Sequence, residues 1–109
     1  MAIKIMDQAL FNKVFNYICK EKDLSSRCYI SDKILYRKVA KGFILDKFLN
    51  KWLDDPLSDP IDIVDDMTLK YYMWENAAAT NNNTELVKTY EIYIRILLNL
   101  KTFIAKENH

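Results

Sequence analysis

An all-α fold, a single small bundle of four main helical segments, is predicted from three observations. Glycine is nearly absent, there are only two prolines in 109 residues, and apolar residues recur every three or four positions. Gly42 is the sole glycine, and Pro56 and Pro60 fall in one stretch rather than through the chain. Half of the residues are apolar and 13% are aromatic, enough to close one core without a disulfide or metal staple. One helical domain over residues 1–109 is therefore expected.

The first segment reads as a helix over residues 3–22. Ile3, Met6, Leu10, Val14 and Tyr17 share a face, flanked by Phe11, Phe15 and Ile18. Lys4, Gln8, Asn12, Asn16 and Lys20 form a polar row on the other side. Asp7 near the start and Lys20 and Lys22 near the end suit the helix dipole. Residues 23–31 read as a connection, with Ser25, Ser26 and Ser31 as turn or cap hydroxyls.

The second segment, residues 32–54, carries two apolar sets. Leu35, Tyr36, Val39, Ala40 and Phe43 cluster on one side; Leu45, Phe48, Leu49 and Trp52 cluster nearly opposite. The change of side falls close to Gly42, the residue least committed to helix, so a kink or split is expected there.

Residues 54–60, Asp-Asp-Pro-Leu-Ser-Asp-Pro, are the clearest punctuation. Pro56 pushes Asp55 out of helical geometry. Asp59 then reads as an N-cap with Pro60 at the first helical position and Asp62 three after the cap. The third segment spans residues 59–80, with Val64, Met67, Tyr71, Trp74 and Ala78 as its core stripe, and ends at Asn81-Asn82-Asn83. In the fourth, residues 84–106, Leu86, Tyr90, Tyr93, Leu97, Leu100 and Ile104 repeat as a heptad seam. Val87, Ile94 and Leu98 widen one edge of that seam, and Ile92, Ile96 and Phe103 the other. An apolar arc of about 250° exceeds the roughly 100° a surface helix needs, so burial on nearly all sides is expected.

The same composition restricts the chemistry. A phosphate-cradling loop needs several glycines, which removes Walker-type and dinucleotide-binding sites. The only histidine is His109, so Ser-His-Asp, Cys-His and His-ligated metal chemistry lack their usual base or ligand. Cys19 and Cys28 are too few for zinc and read as reduced thiols. No apolar run approaches the roughly 20 residues of a membrane span, and the expected setting is cytoplasmic. Six carboxylates, Asp54, Asp55, Asp59, Asp62, Asp65 and Asp66, lie within thirteen residues, but no calcium-loop pattern is present. Paired-carboxylate catalysis drawn from Glu85 with Glu91, or Glu75 with an aspartate, has no support in linear spacing. The expectation is a protein that is not an enzyme and takes no cofactor and no metal.

Charge is uneven although the net value is +1. Residues 1–51 hold eleven Lys/Arg against five Asp/Glu, a balance of +6, and residues 52–82 hold one Lys against seven acids, a balance of −6. Either the two halves neutralise each other inside one fold, or they leave a dipolar surface for a charged partner or a second copy.

These readings lead to a non-catalytic protein-binding module, a small self-associating regulator, inhibitor or assembly factor. Its expected contact residues are Leu69, Tyr72 and Met73, which face away from the third helix's core stripe, and the Ile92, Ile96, Phe103 edge of the fourth. Lys33, Arg37, Lys38 and Lys41 form a basic row that would steer the encounter. The alternative is a small nucleic-acid-binding protein gripping phosphates through that row, with Tyr29 and Tyr36 near enough to stack on a base.

Overall fold

The computed structural model describes residues 7–27 and 32–107, with the side chains of residues 23–27 and 32–39 outside that description. Four helices make up the described residues: α1 (Gln8–Arg27), α2 (Asp32–Asp54), α3 (Pro60–Thr80) and α4 (Thr84–Glu107). No strand occurs among the described residues, and the fold is all-α.

α1, α3 and α4 each start at a side-chain cap. Asp7 is the N-cap of α1, its Oδ1 accepting from Leu10 N–H at 3.1 Å and its carbonyl from Phe11 N–H at 2.9 Å. The helix thus begins at Gln8, five residues later than the periodicity suggests, because Asp7 caps the helix rather than sitting inside its first turn. Residues 1–6, with Ile3, Lys4 and Met6, lie outside the described residues. At the other end α1 runs on to Arg27 rather than stopping at Lys22. Asp59 caps α3 as its sequence indicates, accepting from Ile61 N–H at 2.9 Å, with Pro60 in the first turn.

Asn81-Asn82-Asn83 does three separate jobs. Asn81 is the C-cap of α3. Asn82 adopts a left-handed φ of 57°, which lets its own N–H reach the Ala79 carbonyl at 3.1 Å and the Asn83 N–H reach that of Ala78 at 2.9 Å. These are the two bonds of a Schellman closure, with Asn where Gly is commonest. Asn83 then caps α4, its Oδ1 accepting from Leu86 N–H at 3.2 Å. So short a link folds α4 back along α3, and these two helices form the most extensive packing in the bundle.

α2 is one uninterrupted helix through Gly42, so the expected split is absent. Of its second apolar set Leu45, Phe48 and Trp52 are buried and Leu49 partly so; Ala40 from the first set and Ile44 are buried with them. Phe43, from the first set, is half exposed, tilted against Tyr93 at 5.7 Å with the Lys47 ammonium 5.5 Å from its ring. The side chains of Leu35, Tyr36 and Val39 from the first set lie outside the described residues.

α2 and α4 each pack on the three other helices, while α1 and α3 lie on opposite flanks with no packing between them among the described residues. The core joins Leu10, Val14 and Ile18 of α1 to Ile44, Leu45, Phe48 and Trp52 of α2. Val64, Met67 and Tyr71 of α3 and Ile94, Leu97, Leu100 and Ile104 of α4 complete it. Full burial of one such side chain is worth about 1.5–3 kcal/mol, which makes this cluster the main source of stability. Thr68 is buried with them, its hydroxyl donating to the Val64 carbonyl at 2.7 Å.

Candidate functional site

The outward strip of α3 is built by helical geometry alone. At about 100° per residue, Asp62, Asp66, Leu69, Met73 and Asn76 fall on one side, opposite Val64, Met67 and Tyr71. All five are exposed, and Leu69 and Met73 are 61% and 62% exposed, more than any other large apolar residue described. Tyr72, beside them, is 45% exposed. The three residues picked from sequence on this helix therefore sit together on solvent.

Two cross-links set the neighbouring surface of α4. Lys101 bridges Asp65 at 2.7 Å, and Glu91 is hydrogen-bonded to Glu75. The step from Asp65 to Glu75 along α3 matches the step back from Lys101 to Glu91 along α4, so both links share one antiparallel register. That register sets Leu98, also exposed, level with Thr68 and within one turn of Leu69 and Tyr72. Leu98 widens the apolar strip, where its sequence position suggests a buried edge.

The opposite edge of α4 has a different fate. Ile96 and Phe103 are partly buried against the core, and the Phe103 ring stacks on Tyr17 at 4.3 Å. Ile92 is half-buried. Ile96 and Phe103, two of the three contact residues expected here, are thus partly covered within the molecule, Phe103 by Tyr17 of α1. The upper end of the α4 seam departs the other way: Leu86 and Trp74 are 40% and 44% exposed. With Tyr90, Ala77 and Ala78 they line an open groove of about 360 Å³. Tyr90 meets Trp74 and Tyr71, but beyond them Leu86 faces only the small Ala77 and Ala78 among apolar residues of the groove, so the seam is not closed at that end.

Of the basic row, the side chains of Lys33, Arg37 and Lys38 lie outside the described residues, as do Cys28, Tyr29 and His109 and the side chain of Tyr36. Lys41 is bridged to Glu21 at 3.0 Å. Cys19 is a free, exposed thiol. A second groove, of about 350 Å³, runs between α2 and α3 and mixes Lys47, Lys51 and Lys70 with Asp54, Asp55 and Asp66 over Met67 and Tyr71. Its charges balance, so it favours neither an anion nor a cation. In the acidic segment, Asp55 accepts from the Ser58 hydroxyl and Asp59 is spent on capping. No cluster able to hold a metal occurs among the described residues.

Glu75 and Glu91 form a carboxyl pair placed to hydrogen-bond when one is protonated, and sequence spacing pairs neither with the other. Partial burial first, then the Glu91 charge and hydrogen bond, raise the Glu75 carboxyl above the ordinary carboxylate range. The two can share a proton, but neither lines either groove.

Comparison with protein-family models, with curated proteins and with solved structures finds no match. The functional reading rests on the surface itself. No described helix is long and apolar enough to cross a membrane. What remains is an apolar strip of Leu69, Tyr72, Met73 and Leu98, rimmed by Asp62, Asp65, Asp66, Lys70 and Asn76. An apolar centre inside a polar rim suits exclusion of water by another macromolecule better than it suits bond-making chemistry.

Proposed function

We propose that this chain is a non-catalytic protein-binding module that docks through the outward strip of α3, with Leu69, Tyr72 and Met73 as anchors and Leu98 beside them. Its role is that of a small regulator, inhibitor or assembly factor that acts by occupying a partner's surface. One observation carries the reading. The most exposed large apolar side chains described, Leu69 and Met73, lie one turn apart on a helix whose other face is already buried through Val64, Met67 and Tyr71. A cytoplasmic setting, with Cys19 and Cys28 as thiols, belongs to the same proposal. The nucleic-acid alternative gains no observation, since Lys41 is committed to Glu21.

Solution mass by light scattering, at low and high salt, tests the proposal on the parent and on Leu69→Gln/Met73→Gln. An oligomer that survives salt and dissociates in the variant makes a second copy the occupant. A parent monomer directs the search to another protein. Self-association and partner binding both unchanged in a folded variant would refute the proposed face.

A further inference from the structure

We infer that the outward strip of α3 takes a basic amphipathic helix of another protein, its apolar residues seated on Leu69 and Met73 and its cations on Asp62 and Asp66. This rests on the protein-binding reading above and adds the chemistry of the partner.

The argument comes from where the ion pairs fall. Residues 52–82 carry the balance of −6, against +6 in residues 1–51. Lys47 and Lys51 of the basic region share a groove with Asp54, Asp55 and Asp66, yet no ion pair joins the two regions among the described residues. Instead Lys22 pairs with Asp46, Lys41 with Glu21 and Lys13 with Glu107, none of them in the acidic segment. Among the described residues the acidic segment contributes one ion pair, Asp65 with Lys101 of α4. Asp62 and Asp66 are exposed, with no cation at ion-pairing distance among the described residues. They continue the strip of Leu69 and Met73 toward the N-terminal end of the helix. Lys70 lies one turn from Asp66 on the flank toward α2, so the strip itself keeps a net negative charge from Asp62 and Asp66 outside any ion pair, next to the most exposed apolar residues.

A second copy answers this poorly. On α3 the single cation, Lys70, lies off the strip on the flank toward α2, so two copies of the strip laid face to face bring no cation onto Asp62 or Asp66. Packing α3 antiparallel on its own copy, centred between Leu69 and Met73, would set Asp62 and Asp66 opposite the uncharged Thr80 and Asn76. Parallel packing would set like charges together. A separate basic partner meets both the apolar and the charged part of the strip. A helical form fits because the strip from Asp62 to Met73 is about 16 Å long at 1.5 Å per residue, some three turns of a facing helix. Tyr72 and Leu98 supply a side wall, the arrangement by which an amphipathic helix lies in a groove.

The test is a selection of randomised helical peptides, displayed on phage, against the immobilised full chain, with counter-selection on Leu69→Gln/Met73→Gln. Circular dichroism and thermal unfolding establish that each variant is folded. The expected survivors place apolar residues at i and i+4, carry more Lys and Arg than Asp and Glu, and bind less tightly as salt rises. Asp62→Asn/Asp66→Asn should weaken them about tenfold or more. Survivors that need Leu69 and Met73, lack a basic excess and bind the Asp62→Asn/Asp66→Asn variant equally well would overturn the basic-helix inference and leave the protein-binding reading standing. A salt-resistant dimer of the parent, dissociated by Met73→Gln, would overturn it in favour of a second copy. No survivor dependent on Leu69 and Met73, with a monomeric parent, would sink both.

Discussion

Asn82 gives the sharpest test of how the chain turns between α3 and α4, because its left-handed φ of 57° can be probed with single side chains. An ordinary L-residue loses about 1–2 kcal/mol in that region, through the approach of Cβ to the carbonyl oxygen. Asparagine escapes part of the loss, and valine, branched at Cβ, escapes none. Asn82→Val should therefore destabilise the fold by about 1–2 kcal/mol, with both closing bonds to Ala78 and Ala79 strained together. Asn82→Gly removes the steric cost but raises the entropy of the unfolded chain by about 0.5–1 kcal/mol, so the net change should stay within about 0.5 kcal/mol. Neighbouring Asn83→Ala deletes the cap to Leu86 and should cost about 1 kcal/mol. Urea unfolding followed at 222 nm reads all three. With slopes of about 1–3 kcal/mol/M, the valine variant's midpoint should fall by roughly 0.3–2 M. A valine variant as stable as the parent, beside a clearly destabilised glycine variant, would refute the left-handed closure.

Three further outcomes follow from the same structure. Leu97→Ala, at a fully buried position, should cost about 2–5 kcal/mol in thermal unfolding, while Leu69→Gln/Met73→Gln should change stability by no more than about 0.5 kcal/mol. Asp59→Ala should cost about 1 kcal/mol through loss of the bond from Ile61 N–H, measured as a drop in Tm. Glu75 keeps its proton in the fold at a pH where the unfolded chain has released it, so the stability from that proton is present at low pH and lost as pH rises through the raised value. Glu75→Gln should consequently stabilise the fold at about pH 7, with the two proteins converging near pH 4 in paired urea titrations.

Features written into neighbouring residues were legible in the sequence. Asp59-Pro60 announces α3 because a cap acceptor and a residue without an N–H are needed at adjacent positions. Leu97, Leu100 and Ile104 announce the α4 seam, and all are buried. What stayed hidden depends on the helix opposite. Phe103 reads as surplus until Tyr17 stacks on it, and Leu86 reads as core until only Ala77 and Ala78 are found across the groove. Thr68 escapes an apolar pattern because its hydroxyl is satisfied within its own helix. The Glu75–Glu91 pair belongs to a register that no spacing within one helix reveals. On α1 the buried row is Leu10, Val14 and Ile18, with Tyr17 only partly covered, since the helix meets α2 and α4 along an i, i+4 line. Leu69, Tyr72 and Met73 were legible as outward residues for the opposite reason: their place depends on α3 alone.

Why α3 carries apolar residues there is the question that ties fold to function. Leucine and methionine are good helix formers, yet glutamate, lysine and glutamine serve a solvent face about as well, so propensity explains neither Leu69 nor Met73. The core does not require them, because Val64, Met67 and Tyr71 already fill the inner side of the same turns. Trp74, also exposed, differs: its ring meets Tyr71 at 5.4 Å and Tyr90 at 6.0 Å, so it forms the outer side of an aromatic cluster that helps hold α3 to α4. No such internal role is visible for Leu69 and Met73. Their exposure adds nothing to the isolated fold, and the carboxylates of Asp62 and Asp66 beside them are in no ion pair among the described residues. A basic helix laid along α3 would cover the first and neutralise the second, giving both features of the strip one physical cause.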